Sequence, residues 1–133
     1  MLETMHTPVY AISRVDWFKA KLQCEIGPVE LKRLLDEKGS LLVLDVRDAG
    51  SFKEERVPGA LNIPLCDLPK RLAELPRDKT IVTYCWSLTC HLATKAALEL
   101  AHRGYKIQEL VGGIKEWKAA GLPMEGAARE GRA

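Results

Sequence analysis

No stretch of about 18 apolar residues runs through the sequence, so a membrane-spanning helix is not expected. The first ten residues, MLETMHTPVY, lack a basic segment followed by an apolar one, so a secretory leader is not expected. Long blocks of one charge are also missing. The 20 Lys and Arg residues are interspersed with 18 Asp and Glu, leaving a net charge of +2. That balance gives no reason to expect nucleic acid or an anionic membrane surface as a partner. Cysteine is sparse, with Cys24, Cys66, Cys85 and Cys90 only, and no two of them form a C-x2-C pair. The pattern disfavours structural zinc, and no metal or organic cofactor is expected. It also does not read as a secreted disulfide framework, so free thiols in the cytoplasm are the expectation.

What is present is enough for one hydrophobic core. A chain of 133 residues, 47% hydrophobic and 29% charged, is the size and make-up of a single globular domain. No internal repeat or linker interrupts it. Residues 1–22 read as an N-terminal extension, with residues 1–10 mobile and a short helix from Ile12 to Leu22, where Ile12, Val15, Phe18 and Leu22 recur at helical spacing. The main domain is expected over residues 23–125, and residues 126–133 read as a disordered tail.

Within the main domain, Cys24-Glu25-Ile26 reads as a short edge strand. Gly27-Pro28 opens a helix that Gly39 ends. Leu41 to Val46 and Thr80 to Tyr84 are apolar runs that fit strands buried on both faces of a parallel sheet. Asp48 to Glu55 reads as a turn with a short helix, Leu61 to Pro64 as a very short strand, and Leu65 to Leu75 as a helix stopped by Pro76. A helix from Cys90 to Arg103, a strand from Ile107 to Val111 and a helix from Ile114 to Ala120 complete the pattern. Strands alternating with helices predict an α/β fold with a parallel sheet flanked by helices. Working groups in such sheets lie at the carboxyl ends of strands, where Asp45 and Cys85 fall.

Cys85 is the candidate nucleophile. The strand before it delivers its thiol to the loop Trp86, Ser87, Leu88, Thr89 and Cys90, which feeds a helix. A helix N-terminus has backbone N–H groups without helical partners. If the loop curls, those groups point at the sulfur and favour a thiolate, or the anion of a persulfide. Strand, cysteine, loop and helix alone are equally consistent with a buried structural cysteine.

The residues in order resemble the rhodanese-like (sulfurtransferase) family from about Gly27 to Pro123. The likeness runs through Leu44-Asp45-Val46-Arg47, Val57-Pro58-Gly59-Ala60-Leu61-Asn62-Ile63-Pro64 and Val82-Thr83-Tyr84-Cys85. It closes with Leu110-Val111-Gly112-Gly113-Ile114-Lys115-Glu116-Trp117 and Gly121-Leu122-Pro123. The resemblance implies a rhodanese-like domain with a central parallel sheet of about five strands. It also implies a sulfurtransferase carrying sulfane sulfur as a persulfide on Cys85. The donor would be a small molecule, thiosulfate or a thiol persulfide, or a persulfidated protein, and the acceptor a thiol. Monomer and dimer both stay open. The loop from Cys85 to Cys90 has the shorter length found in the sulfurtransferases, against a related phosphatase.

The sequence departs from the family pattern at Cys90, where arginine is common. Losing that cation predicts weak activity on thiosulfate. Cys90 also brings a second thiol, which reads either as helix packing or as half of a redox pair with Cys85. His91 reads as a helper of the thiol or as a solvent-facing residue. Asp45 and Arg47 are the family's Asp-x-Arg element, read as ion pairs that hold the surrounding loops. Asp45 is also expected to reach Arg56. Cys24 and Cys66 read as packing residues. Trp86 and Leu88 either pack over the loop or form a docking surface, which keeps a non-catalytic partner-binding module as an alternative.

Overall fold

The structure is a computed structural model and describes residues 11–130. The expected mobility of residues 1–10 falls outside that range. Two short parallel strands flank three longer ones in a five-stranded sheet ordered β1-β5-β4-β2-β3. The strands are β1 (Glu25–Ile26), β2 (Leu41–Asp45), β3 (Leu61–Asn62), β4 (Thr80–Tyr84) and β5 (Ile107–Leu110). Every pairing is parallel, with Leu41 opposite Thr80 and Asp45 opposite Tyr84 in the β2–β4 ladder. β4 lies at the centre, so its carboxyl end opens into the middle of one edge of the sheet.

Alternation along the strands feeds two cores. On one face Leu44 and Ile81 join Leu68, Ala93, Ala96 and Leu100. On the other, Val43, Val82 and Tyr84 join Leu31, Ile114 and Trp117. Each buried Leu or Ile contributes about 1.5–3 kcal/mol relative to an exposed one, so both faces must be covered. The helices that cover them are α2 (Pro28–Asp36), α4 (Leu92–His102) and α5 (Gly113–Ala119), with α3 (Ala49–Glu54) after β2. This is the α/β architecture with a five-stranded parallel sheet flanked by helices that the sequence predicts. Among the described residues no helix is long and apolar enough to cross a membrane.

Four local expectations are corrected. The N-terminal helix, α1, spans Arg14–Cys24, because the Ser13 hydroxyl caps it by accepting the Asp16 N–H at 3.0 Å. Cys24 is therefore helical, and α1 has no buried residue; Phe18 and Leu22 stay 58% and 83% exposed. The helix expected over Leu65–Leu75 is two 3-10 segments, Leu65–Lys70 and Leu72–Glu74. Pro69 has no amide to donate and its ring obstructs an α-helical turn. The expected disordered tail includes a short helix, α6 (Ala127–Glu130). It is tied back by Arg129 to the Glu55 carboxylate at 3.1 Å and by the backbone bridge of Arg56 with Glu125. Residues 131–133 lie outside the described range. Finally, Arg56 pairs with Glu125 at 3.6 Å and lies over the Phe52 ring, and Asp45 pairs with Arg47 instead. Arg47 follows Asp45 by two residues and its amide already bonds the carboxylate, so the nearer cation takes the partner.

Candidate active site

Cys85 follows the last residue of β4 and is 2% exposed. Its thiol donates to the backbone oxygen of Cys90 at 3.4 Å. The backbone amides of Ala93, in α4, and of Trp86 favour the charged form of its sulfur. Of the other loop amides expected to face that sulfur, the N–H of Cys90 instead donates to the Ser87 oxygen at 3.1 Å. That bond closes the loop into a turn. Burial first, then the Cys90 thiol beside it, pushes the Cys85 thiol up to about 11 against the pull of the two amides.

Cys90 is half-buried and has the opposite tendency. Burial works against its charge, but the Cys85 thiol and the amides of Trp86 and Leu92 outweigh it and hold the thiol below its ordinary range. The two thiols are thus neighbours, and Cys90 ionises first. His91 is the exposed N-cap of α4, and its side chain makes no capping bond. The hydroxyls of Ser87 and Thr89 lie 3.3 Å apart, and Leu88 is 72% exposed.

The loop is held from below by α5. The Ile114 and Lys115 amides donate to the oxygens of Cys85 and Trp86, each at 3.0 Å. Gly113 makes that approach possible: a Cβ there would lie 2.5 Å from the Cys85 oxygen. The sequence marks Gly112-Gly113 as a helix start, but nothing in it says which loop the helix end meets.

Asp45 and Arg47 hold the opposite side. Both are essentially buried, with Arg47 Nε and Nη2 donating to the Asp45 carboxylate at 3.0 and 2.7 Å. Burial opposes the Arg47 charge, but the carboxylate outweighs it and raises its pKa. Arg47 also donates to the Glu55 oxygen at 2.6 Å and lies 4.6 Å from the centre of the Trp86 ring. The pair therefore anchors the segment after β2 to the cysteine loop, and its guanidinium is spoken for. In the sequence Glu55 reads only as the end of a short polar segment, with no sign of the partners its carboxylate takes. Lys118 and then Arg129 hold its carboxyl below the usual range, with burial opposing them.

Cys85 and Cys90 open on one cavity of about 250 Å³. Its charged lining residues are Glu25 and Glu109, paired across β1 and β5, and no Lys or Arg contributes. Glu25 is bound by Lys21 at 2.7 Å, whereas Glu109 accepts from the Thr94 hydroxyl at 2.7 Å. A larger apolar groove, about 650 Å³ between α1 and α4, contains neither of these cysteines. Size favours the groove, but the neighbouring thiols favour the smaller cavity as the chemical site. Among the described residues no three His, Cys, Asp or Glu side chains gather as metal ligands.

A thiol at the carboxyl end of a central parallel strand, inside a short loop leading to a helix, defines a cysteine-loop α/β domain. The rhodanese-like domain family model matches residues 27–120, and the chain belongs to that family. It is 32% identical over 101 residues to a sulfurtransferase of Allochromatium vinosum, covering 75% of this chain and 92% of that protein. It is 38% identical over 95 residues to the HTH-type transcriptional regulator Rv0324 of Mycobacterium tuberculosis. That match covers 71% of this chain but only 42% of the regulator's length. Among solved structures, the BH2092 protein of Bacillus halodurans superposes with a TM-score of 0.77 at 35% identity, covering 86% of this chain and 85% of its own. A role in sulfur transfer, in general terms, follows from this kinship.

Proposed function

We propose that this domain is a sulfurtransferase that carries sulfane sulfur as a persulfide on Cys85, with a thiol persulfide or persulfidated protein as its preferred donor. The observation that carries this reading is the placement of Cys85 at the end of β4, facing the cavity, with the Trp86 and Ala93 amides at its sulfur. The Cys85 thiolate, its proton lost to solvent, attacks the donor's outer sulfur, forming the Sγ–S bond and expelling the donor's remainder as a thiolate or, from thiosulfate, as sulfite. A thiol acceptor then takes the outer sulfur and returns Cys85 to its starting state.

Two features bear on this chemistry. The bare Cys85 thiol is costly to ionise because it is buried. Adding a sulfur moves the charge one atom outward, from the buried Sγ toward the cavity. The same cavity has carboxylates in its wall and no lysine or arginine, only the His91 imidazole, so a doubly charged thiosulfate has no permanent cation to meet it. Opposite charges within hydrogen-bonding distance stabilise a bound anion by about 1.5–3 kcal/mol, and that contribution is lacking here.

The test is intact-mass measurement after incubation with thiosulfate and, separately, with glutathione persulfide, followed by peptide mapping. Gain of one sulfur on Cys85 from the persulfide, with much slower gain from thiosulfate, is the expected result. No gain on Cys85 from either donor defeats the proposal.

A further inference from the structure

Cys90 stands where the loop turns into α4, and sulfur carriage on Cys85 alone gives it no task. It is nonetheless built into the site. The Ser87–Cys90 turn brings the backbone oxygen of Cys90 within 3.4 Å of the Cys85 sulfur, and both side chains line the same cavity. The amides of Trp86 and Leu92 favour the charged form of the Cys90 thiol. Cys90 is also the more exposed of the two, which leaves a product on it within reach of an external thiol.

We propose that Cys90 is a resolving thiol: it attacks Sγ of a persulfide on Cys85, releases hydrosulfide and closes a Cys85–Cys90 disulfide. The inference rests on the reading of Cys85 as the persulfide carrier. The bond that forms joins the two Sγ atoms. The bond that breaks is the one between Cys85 Sγ and the outer sulfur. The outer sulfur leaves with the bonding electrons and takes the Cys90 proton, departing as HS⁻. Sulfane sulfur is thereby reduced to sulfide, and the two cysteines are oxidised to a disulfide. A dithiol reductant supplies two electrons and two protons to reopen it. The cavity suits the leaving group's departure, because its wall carries Glu25 and Glu109 with no lysine or arginine, His91 being its one imidazole. The domain would then act as a persulfide reductase as well as a carrier, with the outcome set by whether an acceptor thiol or Cys90 reaches the persulfide first.

The experiment loads the wild-type chain and Cys90→Ser with glutathione persulfide, removes the excess, and follows intact mass and released sulfide. The wild-type chain is expected to lose the added sulfur as one sulfide per chain. Its mass should then fall two hydrogens below that of the reduced protein, with a peptide linking Cys85 and Cys90, and dithiothreitol should reverse the change. Cys90→Ser is expected to keep its sulfur on Cys85 at least about tenfold longer, since an attacking group held in the same loop gains a large effective concentration. Equal persulfide lifetimes, or sulfide release without a Cys85–Cys90 link, overturn the proposal. If Cys90→Ser takes up no sulfur on Cys85 and the wild type forms no link, the carrier reading fails and this inference goes with it, a result distinct from equal lifetimes.

Discussion

At the scale of single residues, the two thiols divide burial and acidity between them. Cys85 is enclosed and pushed up to about 11, while Cys90 is held below the usual thiol range. A thiol reacts with iodoacetamide as its thiolate, so the sign follows directly: the group with the lower pKa reacts first as pH rises. Alkylation mapped by mass spectrometry across pH 6–11 should label Cys90 well before Cys85. In Cys90→Ser the Cys85 midpoint should fall, because the neighbouring thiol that helps raise it is gone. Labelling of Cys85 ahead of Cys90 at neutral pH would contradict the arrangement. Asp45 and Arg47 make the second residue-scale case. Removing one partner of a buried pair leaves an uncompensated charge, at a cost of about 3–5 kcal/mol. Asp45→Ala should lower the urea-unfolding free energy by that amount. An exposed pair such as Arg71–Glu74 should cost at most about 1 kcal/mol when broken. A loss no larger in Asp45→Ala would mean that Arg47 finds another partner.

At the scale of elements, the cysteine loop depends on the end of a helix nearly thirty residues later. Gly113 has φ +60° and lies against the Cys85 and Trp86 backbone, whereas Gly121 has φ +73° and nothing within 4 Å of an added Cβ. Both positions carry the conformational cost of a left-handed residue, about 1–2 kcal/mol. Only Gly113→Ala adds a clash. It should therefore lose more stability in urea than Gly121→Ala, and it alone should slow Cys85 persulfidation, because the loop must shift. Equal effects in the two variants would show that α5 does not hold the loop in place. The same scale explains the broken helix after Pro64. The leucine spacing at 65, 68, 72 and 75 reads as helical, and Leu68 and Leu75 are indeed buried, but Pro69 converts the path to 3-10 turns.

At the scale of the molecule, the two cores lie on the faces of the sheet and α1 lies outside both. It buries no residue, and Gln108 reaches its Gln23 oxygen at 3.0 Å. Removing residues 1–22 should therefore leave cooperative unfolding intact. A stability loss below about 1 kcal/mol corresponds to a fall in thermal midpoint of roughly 4 °C or less for a domain of this size. Calorimetry of a chain beginning at residue 23 measures it, and loss of cooperative unfolding would place α1 within the folding unit.

Much of this was written in one dimension. The runs at 41–46 and 80–84 are strands because their apolar residues are nearly continuous, and they are buried on both faces because apolar side chains fall on each. The end of the second run made Cys85 a candidate, equally consistent with a buried structural cysteine, and the flanking motifs identified the family. What the sequence could not decide is where long-range partners meet. Whether the Cys90 amide or its carbonyl faces the Cys85 sulfur depends on how the loop turns. Whether Asp45 takes Arg47 or Arg56 depends on which cation is nearer once the segment after β2 is packed. The cavity wall joins Glu25 with Glu109 across 83 intervening positions through a strand ladder. Burial and charge act through distance in space, so chain order settles the elements and their chemistry, and only packing settles which thiol is the acidic one.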